Sequence, residues 1–147
     1  MRKDDIQKLQ RLISFRERQR DIAAADMEAA KQRELDAQQQ KEDAETILAN
    51  ELAYFRESIG SSLSPEDMEL AVLSTKWAQR NLEQKDVTLK KQEEKTEIER
   101  RKLLESHQKV KQMETLHKSR TEERTRKQTK TVQAELDDLS AVKEAHK

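Results

Sequence analysis

Three histidines, His107, His117 and His146, are the imidazoles of this 147-residue chain, and no cysteine accompanies them. A structural zinc site needs four His or Cys ligands converging on one point. His107 and His117 do not share a clean helical face, so no metal site is expected. Adjacent carboxylates are common: Glu93-Glu94, Glu122-Glu123 and Asp137-Asp138. General acid–base work needs a pocket that shifts a pKa and excludes water. Side by side on a helix, such pairs are ordinary solvated charge. One glycine in the whole chain leaves no Gly-rich loop to cradle phosphate. The residues that could do chemistry therefore point to no enzyme, no metal and no cofactor. The basic run between residues 100 and 130 alternates with Glu and Thr and lacks interleaved aromatics. It matches no groove-reading motif, which argues against nucleic acid. What remains is recognition of other proteins.

The elements that would position a recognition surface are punctuated once. Gly60-Ser61-Ser62-Leu63-Ser64-Pro65-Glu66-Asp67-Met68 holds the one glycine and the one proline. Glycine suits a left-handed residue just past a helix end. Proline suits the first helical position, where its missing N–H would have no partner anyway. Ser64 is a good N-cap, with Asp67 completing a short variant of the capping box. Leu63 and Met68 can staple the entry. These signals predict one helix over about 4–59, a turn at 60–64 and a second helix over about 65–142.

Composition agrees. Charged residues make up 41% of the chain and aromatics 3%. Ala, Glu, Lys, Gln, Arg and Leu are enriched, which is the signature of long helices or a coiled coil rather than of a globule. High charge with low hydrophobicity also suits disorder, but helix formers fill almost every position. No apolar run approaches the roughly 18 residues of a membrane span. The start of the chain has charge without an apolar stretch after it, so a cytosolic chain without a signal peptide is expected. The formal net charge of zero hides a pattern. Residues 1–20 carry seven basic and three acidic side chains, residues 21–99 ten and nineteen, residues 100–130 eleven and four. A hairpin would bring the two basic segments together and leave the acidic region toward the tip.

The first arm would be about 85 Å long at the usual helical rise. Its stripe begins at Ile6, Leu9 and Ile13, flanked by Leu12 and Phe15. It continues through Arg16, Arg20, Ala23, Met27, Ala30, Glu34, Ala37, Lys41, Ala44, Leu48 and Phe55. Alanine supplies its middle, which suits the close inner face of a two-helix hairpin. The drift from a strict heptad predicts a nearly straight or only weakly supercoiled pair. On the second arm Met68, Leu82, Leu89, Leu103 and Val110 share one seven-residue phase, with Thr75 and Thr96 in the gaps. Beyond Leu116 no aliphatic follows until Val132. In an antiparallel hairpin centred near residue 62, partners have numbers that sum to about 124, so residue 6 meets one near 118. The stripe ends where its partner ends. A small stripe returns at Val132, Leu136, Leu139 and Val142, either an amphipathic end seeking another surface or a frayed tail. The expected fold is all-α: a long antiparallel two-helix coiled-coil hairpin with an overhanging C-terminal helix end.

Apolar residues crowd the tip. Leu48, Leu52, Tyr54 and Phe55 lead into the turn; Met68, Leu70, Val72, Leu73 and Trp77 leave it. Adjacent Tyr54 and Phe55 cannot both face one helix. One face can close the hairpin, and another is left for a partner.

This layout resembles the FliJ/YscO (SctO) family of type III export systems, flagellar or virulence-type. The resemblance lies in the early Leu-x-x-Leu with clustered arginines, from Leu9 to Arg20, and in the Ala/Glu/Gln-rich first helix. It extends to the Tyr/Phe pair before a Gly/Ser turn and to a late basic segment, Lys111-Gln112-Met113-Glu114-Thr115-Leu116-His117-Lys118-Ser119-Arg120. It covers nearly the whole chain. It implies a central stalk of the export ATPase, cytoplasmic and peripheral at the inner-membrane export apparatus, with no membrane insertion of its own. It implies that Arg11, Arg16, Arg18, Arg20, Lys111, Lys118 and Arg120 meet the ATPase hexamer. By region, it implies that Leu48, Tyr54, Phe55, Leu70, Leu73 and Trp77 meet the cytosolic domain of the export gate. Contact with secretion chaperones would go with it. A coiled-coil adaptor or scaffold that oligomerises is the other reading of the same residues.

Overall fold

The computed structural model describes residues 2–61 and 63–145; Ser62 and His146 lie outside them. The fold is an all-α hairpin of two long helices packed against each other, α1 (Lys3–Ile59) and α2 (Pro65–Ala145). The start of α2 follows the sequence signals. Asp67 N donates to Ser64 Oγ at 3.1 Å, and Met68 N donates to Ser64 O at 3.1 Å. Acidic Glu66 and Asp67 occupy its first turn, where they face the positive end of the helix dipole. The end of α1 is built differently from the expectation. No described glycine has positive φ, so Gly60 is not a left-handed cap. Serines close the helix instead. Ser61 N and Ser61 Oγ both donate to Ser58 O, at 3.1 and 3.0 Å, and Ser58 Oγ donates to Tyr54 O at 2.7 Å. A Cβ on Gly60 would meet Glu57 O at 3.7 Å, an ordinary contact. Gly60→Ala is therefore expected to be neutral or to raise stability by about 0.4–1 kcal/mol, through the lost freedom of the unfolded chain. Ser64→Ala, by contrast, should cost about 1 kcal/mol. Thermal melts of the two variants check the pair; a destabilised Gly60→Ala would restore the left-handed cap.

The chain divides into two compact units. One is Ala23–Leu103, which contains the turn. The other joins the described residues up to Ile22 with those from Leu104 onward.

In the turn-bearing unit the buried and half-buried positions of α1 are Ala23, Met27, Ala30, Glu34, Ala37, Lys41, Ala44, Leu48, Glu51, Phe55 and Ser58. Those of α2 include Met68, Ala71, Thr75, Ala78, Leu82, Lys85, Leu89, Gln92, Thr96, Glu99 and Leu103. Both sets step by three and four alternately. The seam is an unbroken heptad, not the drifting pattern expected, because Glu51 and Ser58 fill places that hydropathy alone passes over. Register is read from cross-helix bonds. Thr96 Oγ1 donates to Ala30 O at 3.3 Å, and Gln92 Nε2 donates to the same oxygen at 3.4 Å. The two bonded pairs have numbers that sum to 126 and 122 and so bracket the expected value of about 124; the phase of the two seams selects 126. That register has a packing reason: it sets the first seam position of each heptad on one helix against the second on the other. Large then faces small. Phe55 is set opposite Ala71, Leu48 opposite Ala78, Ala44 opposite Leu82 and Ala37 opposite Leu89. Ala78 has no exposed surface, and Leu89 is 4% exposed.

One seam layer sets Lys41 toward Lys85, a like-charge pairing that Asp86 offsets. Lys41 Nζ lies 3.1 Å from Asp86 Oδ1, and Lys90 Nζ lies 3.0 Å from Asp86 Oδ2. Hydrogen bonds from Lys90 and Lys41 hold the Asp86 carboxyl below its usual range, and the bond to Asp86 raises Lys41. A depressed carboxylate stabilises the fold above its unfolded pKa, and that contribution is lost as pH falls through the folded value. Asp86→Asn is expected to lower the melting temperature at pH 7 and to make little difference at the acid end, below the folded value. An equal penalty at both ends of an acid titration of melting temperature would show that the ion pairs contribute nothing.

In the unit that holds the chain ends, Ile6, Leu9, Ile13, Arg16 and Arg20 of α1 are buried or half-buried, as are Ser106, Val110, Met113 and His117 of α2. Leu9, Leu12, Met113 and Leu116 line an open groove there. His117 Nε2 is buried without a hydrogen-bond partner. From Lys118 to Ala145 every residue of α2 except Arg124 is exposed. Val132, Leu136, Leu139 and Val142 are among them, on continuous helix.

Candidate docking surfaces

Two surfaces stand out, one in each unit, and both follow from how the seam divides the side chains. In a heptad the seam positions are turned inward, and residues one or two places from the nearest seam position, on the back of the helix, face solvent. Leu70, Leu73 and Trp77 are spaced by three and four, like a seam, but fall on the back of α2. Tyr54 lies beside the seam on α1, on the flank shared with Leu70 and Trp77, and at their level by register. All four are 55–64% exposed. Ile47, two turns before Tyr54 on the same flank, is exposed as well. Together they form an apolar patch that holds two of the chain's four aromatic rings. Large amphipathic rings on an exposed face are the usual anchors of a protein interface.

The six apolar residues read from the sequence as one contact set therefore separate. Tyr54, Leu70, Leu73 and Trp77 are outward. Leu48 and Phe55 are half-buried seam residues, because their phase places them against Ala78 and Ala71. They close the hairpin and offer little to a partner. Ile47 was passed over in the sequence. Its signal was available: it sits seven residues before Tyr54 and shares its flank.

The second surface is basic. Arg11, Arg18, Lys111, Lys118 and Arg120 are exposed in the unit that holds the chain ends. Arg16 and Arg20 are not equivalent to them. Both occupy seam positions and are half-buried, with their aliphatic stems covered and their heads at the edge. Arg16 Nη1 donates to Gln19 Oε1 at 3.1 Å, and Arg20 Nη2 lies 3.6 Å from Asp21 Oδ1. They belong to the packing of this unit as much as to its charge. Of the seven cations named from the resemblance, five are exposed and Arg16 and Arg20, which already lie on the stripe, are half-buried.

Among the described residues no group of three His, Cys, Asp or Glu is placed to hold a metal ion. Among the same residues no helix is long and apolar enough to cross a membrane. Comparison with protein-family models, with curated proteins and with solved structures gives no match.

Proposed function

We propose that the chain is a non-enzymatic stalk protein of a type III protein export apparatus. Its basic unit inserts into the export ATPase hexamer, and its turn-bearing unit contacts the export gate, peripheral to the inner membrane, with chaperone and substrate handling as the consequence. The observation that carries this reading is the division of surface chemistry between the two units. Exposed arginines and lysines gather where the chain ends lie, and exposed aromatic and aliphatic side chains gather beside the turn. Cations suit an acidic pore lining. An apolar patch suits a groove between domains. The layout of Leu9 to Arg20, of Tyr54-Phe55 before the turn, and of Lys111 to Arg120 supports the same reading.

The test is charge reversal at residues that do not pack the seam. Arg11→Glu with Arg18→Glu is expected to weaken binding to the ATPase hexamer by about tenfold or more and to abolish ATPase stimulation, with helical content unchanged. Stimulation equal to wild type would refute the ATPase contact. Arg16→Glu and Arg20→Glu would be less informative, since each also places a carboxylate in the seam.

A second reading, a coiled-coil adaptor that oligomerises, draws on the exposed stripe at Val132, Leu136, Leu139 and Val142. Sedimentation separates them. A monomer that binds the hexamer supports the stalk; a stable dimer lost on Leu136→Ser supports the adaptor.

A further inference from the structure

The patch at Tyr54, Leu70, Leu73 and Trp77 has a rim, and the rim has a sign. The two flanks of a paired helix differ in what they carry. On the flank and back that hold the patch lie Glu57, Glu66 and Asp67, with Arg80 as the one nearby cation. The neighbouring cations Arg56 and Lys76 fall on the other flank by heptad position. None of the three carboxylates takes part in an ion pair among the described residues. They are therefore available to a partner.

We infer that the occupant of this patch is a protein surface with an apolar groove rimmed by lysine or arginine. This rests on the reading of the patch as a docking end, and adds the chemistry of what docks there. Apolar contact supplies the anchoring area through Trp77, Tyr54 and the two leucines. The carboxylates select a cationic rim and speed encounter with it. The same carboxylates disfavour the other apolar partner at hand, an anionic lipid surface, which attracts polybasic segments and repels acidic ones.

Trp77 is the one tryptophan in the chain and is 61% exposed, so it reports directly on occupation. The probes are two synthetic helical peptides with the same leucine stripe at three- and four-residue spacing, the remaining positions being lysine in one and glutamate in the other. The Lys/Leu peptide is expected to bind saturably, to shift Trp77 emission to the blue and to weaken with added salt. Glu57→Gln with Glu66→Gln should weaken it at least fivefold, and Leu73→Ser, with Trp77 retained as reporter, at least tenfold. The Glu/Leu peptide should not bind. Equal binding of both peptides, or of neither, overturns the inference. A blue shift with phosphatidylserine vesicles overturns it in favour of a membrane. A blue shift on concentrating the protein alone overturns it in favour of a second copy. The peptides contain nothing of an export system. If the Lys/Leu peptide binds but the gate domain does not, the rim chemistry stands and the stalk reading falls. If the gate domain binds with no response to the two Gln substitutions, the reverse holds.

Discussion

Leu89→Ala is expected to lower the unfolding free energy by about 2–4 kcal/mol, the largest effect of any single truncation in the seam. Leu89 is 4% exposed, and the register sets it opposite Ala37, itself buried. The layer has one large side chain and one small one. Removing the large one leaves alanine facing alanine, and two helices joined by a continuous seam cannot close in on one layer alone. The complementary swap makes the prediction specific. Ala37→Leu combined with Leu89→Ala keeps the layer volume and should recover most of the loss, a coupling of about 1–3 kcal/mol in a double-mutant cycle. Leu35 supplies the contrast. It is 63% exposed, and Leu35→Ala should cost no more than about 0.5 kcal/mol. A register two residues earlier would set Leu89 opposite Leu35. Melts in which Leu35→Ala is severe and the swap gives no rescue would establish that register instead.

The second large effect is on binding. Tyr54→Ala with Trp77→Ala is expected to weaken the proposed contact with the cytosolic domain of an export gate by about a thousandfold, on the scale of two interface anchors at about 2 kcal/mol each. Circular dichroism and melting temperature should stay near wild type, since both rings are outward. Leu48→Ala and Phe55→Ala should show the opposite signature. Each removes a half-buried seam residue facing an alanine, so stability falls while the outer patch keeps its composition. Titration of the three variants against the gate domain, with a melt for each, reads both properties. Loss of binding with Phe55→Ala at full stability, together with intact binding in the Tyr54/Trp77 double variant, would reverse the assignment of faces.

Much of this molecule was legible in the chain. Pro65 after Ser64 starts a helix wherever it stands, because the missing N–H and the capping hydroxyl are local chemistry. The seam residues of α1 from Ile6 to Phe55 were readable through Arg16, Glu34 and Lys41, since a heptad survives polar occupants when its phase is kept. The end of the stripe after Leu116 announced an antiparallel partner that also ended. The second seam row of α2 was harder. Ala71, Ala78, Lys85, Gln92, Glu99 and Ser106 are small or polar, and by hydropathy they do not stand out from a solvated face. Leu73, Trp77, Val87 and Ile98 are larger and drew attention, yet all are exposed.

By itself, then, the sequence determined what depends on neighbours along the chain: two helices, the turn between them, the cap at Ser64, the antiparallel order and the separation of acidic from basic stretches. Only the tertiary structure decided what depends on the facing helix. It fixed the register, which is legible only approximately in the sequence, since the hydroxyl of Thr96 and the amide of Gln92 share the carbonyl of Ala30. It turned Gly60 from a presumed left-handed cap into an ordinary residue, because three serine-centred bonds already close α1. It showed how far the stripe residues are covered: Arg16, Arg20, Leu48 and Phe55 are half-buried, while the other five cations are exposed. It also left Tyr54, Leu70, Leu73 and Trp77 in solvent. Gly60 apart, which local bonds decide, the physical reason is common. Hydrophobicity says that a side chain gains by leaving water, but which side chains can leave is settled by the shape of the surface opposite. Here that surface is largely alanine.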